Sequence, residues 1–372
     1  MVSKLTKFFV LTAAAAALAG CSTSKHEPMP LVKITQAISA DTVWSKSLSS
    51  ADGFLVPAVY DDVVFAAGGK TLSRMNARSG EVEWSVSFDS PITAGVGSDG
   101  YVTAVGLEDG TLQVVDAEGK VSWSKKLTTD LASPPVVAQG LVIVRTLDTR
   151  VSAFEASSGD EEWIYQKNQP ALTVRLPTGM LAHDTVLFVG QPNGHVVILD
   201  IPTGKAVFEF SIAQSKGITE VERLVDVVGY PAFSQDLVCA AAYQGAVTCI
   251  DSQNGQTRWS QPLDAVAGPA IDEDNVYGVA VNGEVKAFYR ESGEERWTNK
   301  EMLYRRLSAP VVVPGAVAVG DAEGYVHLLS PRTGEEIGRL RLSGPVVTAA
   351  QPFSSGAIFQ TSKGDVAYIA TR

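Results

Sequence analysis

The sequence predicts an all-β fold, an eight-bladed β-propeller of four-stranded antiparallel blades, closed by an N-terminal strand that completes the last blade. Three observations predict it. An aromatic mark recurs about every forty residues, a glycine-bounded phrase leads up to each mark, and a proline opens each unit. A period of this length belongs to units that bury their faces only against neighbouring copies of themselves.

The mark stands at Trp44, Trp84, Trp123, Trp163, Phe208, Trp259, Trp297 and, with the ring lost, Gly338. The phrase is clear from Gly110 to Trp123, Gly194 to Phe208, Gly245 to Trp259 and Gly283 to Trp297. Its first glycine is replaced by Lys70 and Thr149 in two copies, and its second recurs from Gly80 to Gly334. Glycine suits tight strand-to-strand turns because it takes positive φ without a steric penalty. Upstream lie apolar runs such as Leu141–Val144, Val186–Val189 and Ala316–Val319, which read as buried strands. Before the runs sit Pro57, Pro91, Pro135, Pro177, Pro231, Pro269, Pro310 and Pro345. At the first residue of a strand a proline removes no ladder hydrogen bond. Each unit therefore reads as a meander of four strands, one blade.

The unit that opens at Pro345 stops after its third strand, at Arg372, while an orphan strand ending in Trp44 waits at the other end. The segment around Asp41 to Trp44 is thus expected to complete the last blade and remove the free edges of an open array. A parallel α/β fold would need helices between the strands, and none is visible.

The predicted propeller spans residues 41–372. Residues 1–20 read as a lipoprotein signal peptide: Lys4 and Lys7 are followed by an apolar stretch, Phe8 to Leu18, too short to span a bilayer. Leu18-Ala19-Gly20-Cys21 is similar to a bacterial lipobox, which implies that Cys21 is acylated and becomes the new N-terminus, and Ser22 after it implies the outer membrane. Several acyl chains on one residue suffice for stable anchoring. Ordinary signal-peptidase cleavage, with a chance cysteine, is the plainer alternative. Residues 21–40, polar and with Pro28 and Pro30, read as a flexible tether, which places the body of the protein in the periplasm.

A net charge of −11 without any run of Lys or Arg argues against nucleic acid and against direct attraction to anionic lipid, so membrane contact is expected through the lipid anchor only. No His-x-x-x-His, Cys-x-x-Cys or Gly-x-Ser-x-Gly pattern occurs. The acidic cluster Asp272-Glu273-Asp274-Asn275 lacks the spacing of a calcium loop and reads as a solvated hairpin turn. No cofactor or metal site is expected. Cys239 and Cys249 flank the turn at Tyr243–Ala246. A three-residue turn would pair them for a disulfide. A two-residue turn would leave them as buried small apolar residues.

Strands are committed to packing, so function is expected in loops. The widest gap between a mark and the next proline runs from Phe208 to Pro231 and holds Thr219 and Glu222 at capping-box spacing, with Val221, Leu224, Val225 and Val228 on one helical face. This segment reads as a short packed helix or as a partner-binding projection. The preceding gap holds Leu172, Val174 and Arg175, an alternation suited to exposed recognition. Both gaps join an outer strand to the next inner strand, so they are expected side by side on one face.

The repeat phrase resembles that of pyrroloquinoline-quinone dehydrogenases, which makes a periplasmic quinoprotein dehydrogenase or a ligand-binding propeller the alternative reading. Those enzymes add calcium-binding carboxylates and a catalytic Asp, whereas the Trp marks here are explained by blade packing. Lipobox, tether, eight repeats and the two loops together resemble the BamB family, the propeller lipoproteins of the outer-membrane β-barrel assembly machine. The resemblance implies a non-catalytic scaffold that binds the periplasmic domains of the central barrel protein and assists precursors toward insertion. It implies contact through Leu172, Val174 and Arg175 in the first loop and Asp226 in the second. Val228 stands where the family often has a second acid.

Overall fold

Each predicted apolar run forms a strand, and the strands group into eight antiparallel sheets. The computed structural model describes residues 26–51, 53–167, 172, 173, 176, 178–215, 218, 219 and 221–372. The signal peptide and Cys21 lie outside them, as do Val174 and Arg175.

Blade three shows the common plan. Val136–Ala138, Leu141–Arg145, Val151–Glu155 and Glu161–Tyr165 pair in sequence order, from the channel outward. The second strand is buried along its whole length, and the same holds for Ala316–Gly320 in blade seven. Such strands have a neighbouring blade on each face, which is why they read as unbroken apolar runs rather than as alternation. Outer strands such as Val82–Ser87 are mostly exposed and keep polar side chains. Blade two gains a short parallel strand, Phe54–Leu55, along the inner edge of Ile92–Ser98.

The ring closes as the sequence predicts. Ala40–Ser47 pairs antiparallel with Asp365–Thr371, setting Trp44 opposite Tyr368, and so supplies the fourth strand of blade eight.

The Trp mark and the second glycine prove to be two halves of one joint. The indole N–H of Trp44 donates to the carbonyl of Ala77 in the next blade at 2.9 Å, and Trp84, Trp123, Trp163, Trp259 and Trp297 repeat this bond at 2.8–2.9 Å. The ring lies on the glycine of that same turn. At Gly80, with φ of 70°, a Cβ would stand 2.6 Å from the Trp44 ring. The glycine is therefore required twice, by backbone conformation and by close approach.

The missing ring at Gly338 has a matching cause. Blade eight is made from the two chain ends and has no turn for a Trp of blade seven to cover. Instead Ala37 and Ile38 donate backbone N–H bonds to Ile337, and Ile38 lies against Gly338.

Two open readings resolve. The register pairs Cys239 with Cys249, and they form a disulfide on neighbouring buried strands. The alternative of a helix over 219–228 is corrected. Glu222 accepts N–H bonds from Ile218 and Thr219, and its own N–H donates to the Thr219 hydroxyl, so the capping box forms. Only one turn follows, because Val225 and Val228 are drawn into the core and the strand Val227–Ser234 begins.

Candidate functional site

Strand parity fixes two faces. The connections from outer to inner strands emerge on one, here the loop face. The turns between third and fourth strands, such as Gly80 and Gly293, lie on the other, the turn face. The segments around 172 and 218–226 are both connections of the first kind, between blades three and four and between blades four and five.

Their bases are joined. Thr178 bridges Gly229, the Thr178 hydroxyl donates to the Val227 carbonyl at 3.2 Å, and the Gly179 N–H donates to the Gly229 carbonyl at 2.8 Å. Above this junction Leu172 is 44% exposed, Ile218 90% and Val221 61%. Apolar side chains so open, clustered on adjoining segments, are candidates for contact with a partner.

Asp226 is placed differently. It is 6% exposed, and its carboxylate accepts the Asn193 N–H at 3.3 Å. It stands near Arg145, a guanidinium 5% exposed whose pKa burial pushes down to about 10 against the pull of the Asp226 charge. Arg145 escaped the sequence reading because it ends an apolar run. Val228, at the family's second acidic position, is buried in the core between blades five and six. Glu222 is held below the ordinary carboxylate range by the backbone N–H groups of Thr219 and Ile218.

The channel opens on the same face through a cavity of about 440 Å³, lined by groups including Ser133, Leu176, Thr178, Tyr230, Arg306 and Leu307. No carboxylate lines it among the described residues. A calcium-dependent quinone is held by acids, and the described part of this wall offers none. Among the described residues no three His, Cys, Asp or Glu side chains stand together as metal ligands would. Asp272, in the acidic cluster, accepts the N–H bonds of Asp274 and Asn275 and closes a hairpin turn.

Comparison with known proteins matches this architecture along the whole ring. The family model described as outer membrane protein assembly factor BamB matches residues 68–299 and 281–371. The outer membrane protein assembly factor BamB of Bordetella pertussis is 35% identical, over 95% of this chain and 94% of its own length. The chain belongs to the BamB family. The crystal structure of BamB from Moraxella catarrhalis superposes with a TM-score of 0.82 at 28% identity, covering 89% of this chain and all of that one. A quinohemoprotein alcohol dehydrogenase from Pseudomonas putida, at 14% identity and a TM-score of 0.65, shares the fold alone.

Of the four residues that sequence reasoning placed at the contact, Leu172 is described and open, Asp226 is described and largely covered, and Val174 and Arg175 lie outside the described residues. Ile218 and Val221 were not singled out as contact residues. Their signal is the length of the gap, which favours a projecting segment, whereas the helical spacing within it favours a packed one.

Proposed function

We propose that this chain is a non-catalytic scaffold of outer-membrane protein assembly, anchored through acylated Cys21 to the inner leaflet of the outer membrane and working in the periplasm. It docks the periplasmic domains of the central barrel-assembly protein on its loop face and helps align barrel precursors for insertion. Leu172, Val174 and Arg175 make the first part of the contact, and Asp226 braces the second segment from below. The observation that carries this reading is the pair of neighbouring segments, tied together at Thr178 and Gly229, that lift Leu172, Ile218 and Val221 out of the ring. Exposed apolar clusters mark contact surfaces, and Arg is among the side chains that most often carry interface energy. A rigid ring adds affinity because little is left to order on binding.

Affinity purification from detergent-solubilised envelopes, wild type beside Arg175→Glu, tests it. Circular dichroism checks the fold of the mutant. A large outer-membrane barrel protein is expected with wild type and absent with the folded mutant. No barrel protein with wild type overturns the scaffold reading.

A further inference from the structure

The described part of the expected tether does not leave the ring directly. Residues 26–39 run down the outside of blade seven, from the loop face to the turn face, before the closing strand begins. At the upper end His26 stacks on Tyr304 with ring centroids 4.3 Å apart, and the Met29 N–H donates to the Leu303 carbonyl at 2.9 Å. Lower down, Arg339 donates to the Val32 carbonyl at 3.2 Å, and Gln36 donates back to the Arg339 carbonyl at 3.3 Å. At the bottom Ile38 covers Gly338.

A receptor is built for this strand of chain. Arg305, 2% exposed, donates from one nitrogen to Met29 O at 2.8 Å and from another to Asp321 at 2.7 Å, and a third meets Glu323. Asp321 bonds buried His327 at 3.0 Å, His327 bonds Glu336 at 2.6 Å, and Glu336 pairs with Arg339. Both cations that grip the segment thus belong to one buried charge network. Burying such groups is costly unless each is paired. A linker whose only task is reach needs no such seat.

We propose that residues 26–39 form a fixed strap which holds the loop face of blades six and seven against the lipid headgroup surface, so that the ring hangs from the membrane by that rim. The inference rests on the reading of Cys21 as the lipidated residue. His26 is five steps along the chain from Cys21, and a fully extended chain spans at most about 18 Å over that length. The rim at Tyr304 therefore stays within that reach of the bilayer. The turn face lies farther by one strand, and Glu295–Asn299, five residues long, adds roughly 17 Å at the usual rise. Tyr304 and Val281, exposed at this rim, are the apolar groups placed to meet the headgroups, a setting that suits an amphipathic ring. The docking segments share the face, so the strap also aims them toward the membrane side.

Energy transfer tests the orientation. Full-length lipoprotein is reconstituted in phosphatidylcholine vesicles carrying an acceptor dye on the headgroups. A donor is attached at Lys300→Cys on the loop face or at Ser292→Cys on the turn face of the same blade. Transfer from Lys300→Cys is expected to be several-fold stronger. A long glycine–serine insert between Ser24 and Lys25 leaves the strap and its receptor intact, and it should bring the two signals together. Equal transfer in vesicle-bound protein without the insert overturns the inference, as does a difference that survives the insert. Protein that fails to float with the vesicles overturns the lipidation reading, and this inference with it.

Discussion

Phe208 differs from the other aromatic marks by one donor. Trp259 and its counterparts close each blade joint with an N–H bond to a carbonyl, whereas Phe208 packs on Gly255 and donates nothing. Removing the donor from a working joint leaves a largely covered carbonyl unpaired, at a cost of roughly 1–3 kcal/mol. Trp259→Phe should therefore lower stability by about that much, while Trp259→Ala, which also removes a buried ring, should cost about 3–5 kcal/mol. Phe208→Trp should gain about 1 kcal/mol by supplying the missing bond. Urea unfolding at fixed pH checks all three, and a Phe208→Trp variant no more stable than wild type would contradict the joint as described.

His327 makes the stability of the ring depend on pH. Burial alone would lower its pKa, but hydrogen bonds to Asp321 and Glu336 outweigh that and raise it above the ordinary 6.5. Its contribution to stability is complete below 6.5 and is lost as pH rises through the higher folded value. Burial would raise Asp321 and Glu336, yet their bonds to His327 and the nearby arginines hold both below their ordinary 3.8 and 4.5. Their contribution is present above those values and is lost as pH falls through the lower folded ones. The network is thus strongest between about pH 4.5 and 6.5. The gap in melting temperature between wild type and His327→Asn should be widest there and shrink toward alkaline pH. A gap independent of pH would mean that the imidazole is held neutral.

Among the elements, the closing strand matters most for integrity. Without residues 41–46 blade eight loses its outer strand and the contact of Trp44 with blade one. Deletion should lower the melting temperature of the entire ring in one transition, and an unchanged value would contradict closure. This element was legible in the sequence because a unit lacking its fourth strand at one end met an orphan strand at the other. The joints were half legible. Spacing showed both the Trp and the second glycine, but not that they come from different blades, since a repeat fixes what recurs and not which neighbour it touches. Residues 219–228 show the opposite failure. The capping box was real, but helical spacing of Val225 and Val228 was overridden by the strand into which those side chains are drawn. The strap was invisible because its contacts belong to no repeat: it answers the one blade where the ring is missing at Gly338 and where Arg305 and His327 are buried. His327 occupies the same place in its phrase as Ser73 and Thr248, whose hydroxyls meet Ser85 and Ser260 across the outer strands at 2.8 and 2.7 Å. That shared polar position was a signal the period alone did not weigh.

For the whole molecule, the arrangement separates tasks by face. The blades form a rigid, closed ring whose joints repeat, and the departures from repetition gather on the loop face: the two projecting segments, the channel mouth and the upper end of the strap. In the proposed scaffold role the chain acts by position, so the decisive question is where a partner sits. The most direct measurement is photocrosslinking in intact envelopes, with the reactive group placed at position 172 on the loop face or, for comparison, at position 292 on the turn face. A crosslink is expected from 172 to a large outer-membrane barrel protein, and none to it from 292. Capture of that protein equally from both positions, or from 292 alone, would contradict the proposed role.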